Sequence, residues 1–208
     1  MMNSPTAFYI VKYHPDGEGV PYFMDKEWMP ELPDYDIHIK PPLLNNFVSK
    51  YSLKAKSHKL NGDYLLEDDL ISSDFYELCK KLSIKCICIP VDIHLMRNKL
   101  PEKKYFLFFN LNYLSVLDQG KSTFTISRDI YDGKPNTPED KGGDKVYYDK
   151  IDNFHVIEGI EEHLFFCSDI MRPICSLFFK QEFERLGLSG VEFIAIDENY
   201  RYDAWEGW

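Results

Sequence analysis

The stretch His163–Asp197, HLFFCSDIMRPICSLFFKQEFERLGLSGVEFIAID, decides the fold class. It reads as a short apolar strand, a capped helix, a glycine-bounded turn and a final strand. Ser168 or Asp169 is placed to cap a helix over about 170–186, with Pro173 in its first turn. Ile170, Ile174, Leu177 and Phe178 then share one face. Gly187 is a natural stop in the left-handed conformation, with Leu188 supplying the apolar contact that accompanies such a stop. Ser189–Gly190 turns the chain into VEFIAI. A helix delivered between strands in this way packs across a sheet, which predicts an α+β domain built on a mixed, largely antiparallel sheet with a few packed helices.

Working outward, the pattern repeats the same alphabet. AFYIVKY at 7–13 predicts a first strand. Pro21, Pro30, Pro33, Pro41 and Pro42 break regular structure across 19–42, where a long connection is expected, pinned by Tyr22, Phe23, Trp28 and Tyr35. Ser72 or Ser73 caps a helix to about Leu82, with Phe75, Leu78, Cys79 and Leu82 on its apolar face. Residues 84–95 form a strand with Cys86 and Cys88 on one side and Ile87 and Ile89 on the other. Pro90 marks an edge, a bulge or the strand's end. Residues 105–117 are almost continuously apolar and predict a long central strand covered on both faces. Residues 120–127, 145–151 and 154–160 predict further short strands. Tyr131–Asp144, rich in glycine and proline, is the expected loop and lobe boundary. No internal repeat is visible in the sequence.

At 208 residues, 44% of them apolar and 15% aromatic, the chain suits a single domain with a substantial core. Lobes at 1–128 and 129–208 are the alternative division. The net charge of −10 resides wholly in the second part, where 18 Asp/Glu face 8 Lys/Arg; the first 128 residues balance at 16 and 16. Such a field repels nucleic acid and anionic membrane, and speeds encounter with a basic partner. No run reaches the roughly 18–20 apolar residues of a membrane helix. The start of the chain lacks the pattern of a secretory signal. Five cysteines in apolar segments and no glycosylation sequon point to reduced thiols in a cytoplasm.

Chemistry-bearing clusters are sparse. Cys86-x-Cys88 with His94 comes nearest to a metal site, but lacks the second pair that zinc usually takes. Cys167 and Cys86 are the candidates for a Cys/His hydrolase. The six histidines have no metal-binding spacing, and no phosphate-cradling glycine loop is present. No cofactor or metal is expected. The tail NYRYDAWEGW interleaves aromatics with acids, the composition of interface anchors. The candidate partner-binding residues are therefore Tyr202, Asp203, Trp205, Glu206 and Trp208, with Glu161 and Glu162 as rim charges. The alternative is that the tail's rings fold back as a lid on the core.

Several blocks together resemble a known family. They are ISSDFYELCKKL, the strand ending in IPVDI, YFLFFNLNYLSVLDQGKSTF with Asp118, Lys121 and Ser122, HLFFCSDIMRPICSLF, and LGLSGVEF. Their order and spacing, from about 66 to 197, are similar to the bacterial polymorphic-toxin immunity proteins of the immunity-protein-eleven group. The chain departs from the family at Phe165–Phe166, where the second position is usually arginine. The resemblance implies a non-enzymatic cytoplasmic protein that neutralises a cognate toxin by stoichiometric occlusion. The acidic C-terminal part suits a basic, nuclease-like toxin. A Cys/His hydrolase and a regulatory adaptor are the rival readings.

Overall fold

Two serines start the two helices in the same way. In the computed structural model, which describes residues 8–38, 40–65, 69–137 and 145–206, the chain runs through β1 (Phe8–Tyr13), β2 (Lys26–Met29), β3 (Tyr51–Ala55), β4 (Tyr64–Leu65) and β5 (Leu70–Ser72) into α1 (Ser73–Lys81). It continues through β6 (Cys86–His94), β7 (Tyr105–Asn110), β8 (Tyr113–Leu114), β9 (Thr123–Ile126), β10 (Tyr148–Asn153), β11 (Leu164–Cys167) and β12 (Arg172–Ser176). The last elements are α2 (Leu177–Arg185), β13 (Val191–Ala195) and β14 (Tyr202–Asp203). The α+β class with mixed, mostly antiparallel sheets is as the sequence predicts.

Ser72 Oγ accepts from the Phe75 N–H at 3.2 Å, and Ser176 Oγ from the Phe179 N–H at 3.2 Å. Each satisfies one of the orphan donors of a first helical turn. Both serines also bind back to the strand before them: Ser72 to Asp63, Ser176 to His163, through backbone and side chain alike. Both helices end alike. Ser83 and Gly187 take positive φ (53° and 66°), and the following N–H groups of Ile84 and Leu188 reach back to Cys79 and Phe183.

The likeness extends to the sheets. One sheet has the order β2-β3-β6-β7-β5-β4, the other β13-β1-β12-β11-β8. Within them, β4-β5-β7-β6 and β11-β12-β1-β13 are matching antiparallel runs, with α1 and α2 in matching places. The fold is therefore an internal repeat with one displaced strand: β7 follows the first helix, while its counterpart β1 comes from the start of the chain. The sequence hides this because the two copies share burial pattern and capping but few residues.

Packing follows from strand alternation. Phe106 and Phe108 of β7 face a core shared by both sheets and both helices, where Phe75 touches Tyr64, Phe108, Phe179 and Phe183. Tyr105, Leu107 and Phe109 face a second core closed by the 20–47 connection. Phe8, Ile10, Phe165 and Ile174 face a third, roofed by the small sheet β14-β10-β9. Asp63, 1% exposed, ties the halves by accepting from Ser72, Lys103 and the Ser189 N–H. Beside it, a Cβ on Gly190 would lie 2.3 Å from the Tyr64 carbonyl oxygen, so only glycine fits.

Five expectations need correction. The C-terminal helix begins at Leu177, not 170, and its cap is Ser176; Arg172–Ser176 is a strand between β1 and β11. The apolar spacing of Ile170, Ile174 and Leu177 mimics a helix face, but two neighbouring strands claim the segment. Pro173 lies in that strand, and Leu177 and Phe178 are partly exposed, while Phe179 and Phe183 are buried. Asp169 caps no helix; its buried carboxylate accepts the Val116 and Leu117 N–H groups at 2.6 and 3.0 Å. The long strand predicted to Leu117 stops at Asn110, whose Oδ1 accepts the Asn112 N–H and turns the chain toward the second sheet. Pro90 marks neither an edge strand nor a strand end: it lies inside β6, between β3 and β7, and its missing N–H is tolerated because pairing with β3 begins only at Val91. Sheet membership also does not follow the 128/129 charge boundary: β1 and β8 lie with the C-terminal strands.

Candidate functional site

Three concavities of about 330, 520 and 430 Å³ run into one another and meet at Met171, the positive-φ residue (51°) at the tip of the β11–β12 hairpin. The first and second share His38, Met171 and Arg172; the second and third share Tyr147, Met171 and Ala204. The result is a groove with an aromatic end and an acidic end.

The acidic end is built by the tail. Tyr202 is buried in β14 against β10, and Tyr200 packs on Phe154, so these rings do fold back on the core. Trp205 does not: it is 65% exposed at the margin of the third concavity. Asp203 accepts the Trp205 N–H at 2.9 Å and pairs with Lys150 at 3.2 Å; the first contact, then the second, holds its carboxyl below the usual range. Glu206 lines the second concavity and Asp149 the third. Four of the sequence-derived candidates thus share one end of the groove. Trp208 lies outside the described residues. Glu161 and Glu162 line a separate cavity of about 180 Å³ beside Leu82–Lys85 and His163.

Sequence reasoning misses two neighbours. Ile130 and Tyr131 are 87% and 92% exposed on the β9–β10 connection, in a turn closed by the Arg128–Pro135 bridge. The base of that connection, Ser127 and Asn136, lines the same concavity as Trp205. The signal is present in the sequence: an apolar pair between Asp129 and Asp132-Gly133 has no reason to sit in a turn unless something covers it.

The aromatic end lies between the β4–β5 and β11–β12 hairpins. Asp69 sits there at positive φ (50°), and its carboxylate accepts from the Tyr35 hydroxyl at 2.8 Å. Burial pushes its carboxyl up to about 6, opposed by that hydrogen bond and by Lys26. In the sequence Asp69 is only the last acid of the run Glu67-Asp68-Asp69.

The thiols are arranged differently from the hydrolase expectation. All five are free. Cys167 and Cys175 are buried, and burial pushes both thiols up. Cys79, Cys86 and Cys88 cluster on the shared core, with Cys86 and Cys88 sulfurs 3.7 Å apart. Hydrogen bonds from Cys79 and then Cys88 lower the Cys86 thiol below its ordinary value. His94 closes β6 six residues beyond Cys88, about 20 Å away along an extended strand. Among the described residues no three His, Cys, Asp or Glu side chains are grouped to hold a metal ion, and no helix is long and apolar enough to cross a membrane. No family model matches the chain, and no curated protein matches it.

Proposed function

We propose that the chain is a non-catalytic cytoplasmic immunity protein that binds a basic toxin domain and occludes its working surface. One observation carries the reading. Three strongly exposed apolar side chains, Ile130, Tyr131 and Trp205, stand on the segments that wall the third concavity, which Asp149 lines, while Asp203 and Glu206 line the second concavity that adjoins it. Large rings standing in water among carboxylates are costly to leave uncovered and are what an interface with a cationic partner uses as anchors. The −10 excess concentrated after residue 128 adds long-range attraction for such a partner.

The test is co-expression with the product of the adjacent gene, followed by co-purification and a growth assay. A one-to-one complex that restores growth supports the reading. Trp205→Ala combined with Tyr131→Ala is expected to weaken the complex by about tenfold or more. Glu206→Lys is expected to slow association, most visibly at low salt. Full rescue by all of these variants would remove the acidic end from the interface, and absence of both complex and rescue would remove immunity to that partner.

A further inference from the structure

Away from the groove, the thiols form a cluster with chemistry of its own. Of the five cysteines, Cys79, Cys167 and Cys175 are buried, while Cys86 and Cys88 are partly exposed. The two that reach solvent are also a pair in contact, with sulfurs 3.7 Å apart. Strand alternation puts both on one face of β6, at the margin of the core that holds Cys79. None of the three lines the groove.

The pair is close enough to bond. Same-face neighbours on a strand lie about 6.6 Å apart at Cα. A disulfide spans up to about 6.8 Å. The backbone has room to adjust, because β7 pairs with both residues but β3 joins β6 only from Val91. A bond near its upper limit is strained and easily reduced, which suits a reversible mark better than a permanent staple. Hydrogen bonds from Cys79 and then Cys88 favour the Cys86 thiolate, the form that attacks an oxidant.

We propose that Cys86 and Cys88 form a reversible oxidation site whose substrate is a hydroperoxide. The Cys86 thiolate attacks one peroxide oxygen, and an S–O bond forms as the O–O bond breaks. The departing oxygen leaves with the electron pair and takes up the proton that Cys86 had released. Cys86 is now a sulfenic acid. The Cys88 sulfur attacks the Cys86 sulfur; the S–S bond forms, the S–O bond breaks, and the hydroxyl leaves as water with the Cys88 proton. The two thiols have lost two electrons and two protons, and the peroxide has become water and an alcohol (for hydrogen peroxide, a second water). A dithiol reductant restores the pair by thiol–disulfide exchange. The site stands independently of toxin binding.

Treatment of the full chain with hydrogen peroxide, then alkylation and tryptic mass mapping, tests this. Lys85 and Arg97 bound one tryptic peptide, so Cys86 and Cys88 fall together on 86–97, while Cys79 falls on 60–80. Peptide 86–97 is expected to lose two hydrogens and to resist alkylation until dithiothreitol is added. In the urea-unfolded chain the same peptide is expected to oxidise about tenfold more slowly. Cys88→Ser removes the second thiol and is expected to trap Cys86 as a sulfenic acid that dimedone labels. The digest of the unmodified chain needs no variant to fold. The proposal is overturned by thiols that stay reduced, by a cross-link of 60–80 to 86–97, by oxidation no faster in the folded chain than in the unfolded one, or by a folded Cys88→Ser that dimedone does not label at Cys86.

Discussion

Replacing Asp69 by Asn should stabilise the protein at neutral pH and cease to do so in acid. Burial is the leading cause that moves the Asp69 carboxyl from 3.8 to about 6, outweighing the Tyr35 hydrogen bond and Lys26. The native state therefore holds the proton more tightly than the unfolded chain. Whatever stability this brings is complete below 3.8 and is lost as pH rises through about 6. At 1.36 kcal/mol per unit, ionising Asp69 costs the fold about 3 kcal/mol at neutral pH. Asn carries no charge, keeps an oxygen to accept from Tyr35, and tolerates the left-handed backbone at this position. Its hydrogen bond is weaker than a carboxylate's, so the net gain is expected at about 1–2 kcal/mol. Urea unfolding followed by tryptophan fluorescence, at pH 7.5 and again below 3.8, gives both numbers. The difference between the two proteins should shrink to near zero in acid. An Asp69→Asn variant less stable than the parent at pH 7.5, or a difference independent of pH, would refute the reasoning.

Other perturbations read other parts of the fold. Phe75→Ala empties the hub where Tyr64, Phe108, Phe179 and Phe183 converge and should cost about 3–5 kcal/mol in chemical denaturation. Ser72→Ala and Ser176→Ala each remove a cap and should cost about 1–2 kcal/mol, with the Ser72 change the larger because Asp63 also loses a donor. Truncation before Asn199 strips Tyr200 and Tyr202 from the third core and the strand paired with β10, so the thermal midpoint should fall measurably. Cys86, whose thiolate is favoured by hydrogen bonds from Cys79 and Cys88, should be alkylated by iodoacetamide ahead of the other thiols, as read by peptide mass spectrometry.

Local chemistry is legible in the sequence and tertiary assignment is not. Ser72 announces α1 because Ser-Ser-Asp precedes an amphipathic run, and the alternation of Cys86 and Cys88 against Ile87 and Ile89 gives both faces of β6 correctly. The same reasoning fails at Arg172–Ser176, where helical spacing and strand burial are both compatible with the residues and only the neighbours β1 and β11 decide. At the groove, the tail's composition marks Tyr202, Asp203, Trp205 and Glu206 as a group. Composition does not show which rings turn inward, and Tyr202 and Trp205 part company there. Asn110 and Asp69, which both line the first concavity, are invisible as a pair because they are 41 positions apart and only the pairing of β5 with β7 brings their strands together.

The displaced strand of the repeat has a consequence for synthesis. β1 is made before every other described strand, yet both of its neighbours, β12 and β13, are made only after β11. The first sheet draws on segments from 26 to 110 and can assemble while the rest is being made. Through that interval FYIVKY is an apolar segment with two open edges, the kind of segment that nascent-chain chaperones bind and that pairs wrongly between neighbouring polysomes. Interrupted translation products of this protein should therefore aggregate through residues 8–13, and deleting those residues from a truncated chain should restore its solubility.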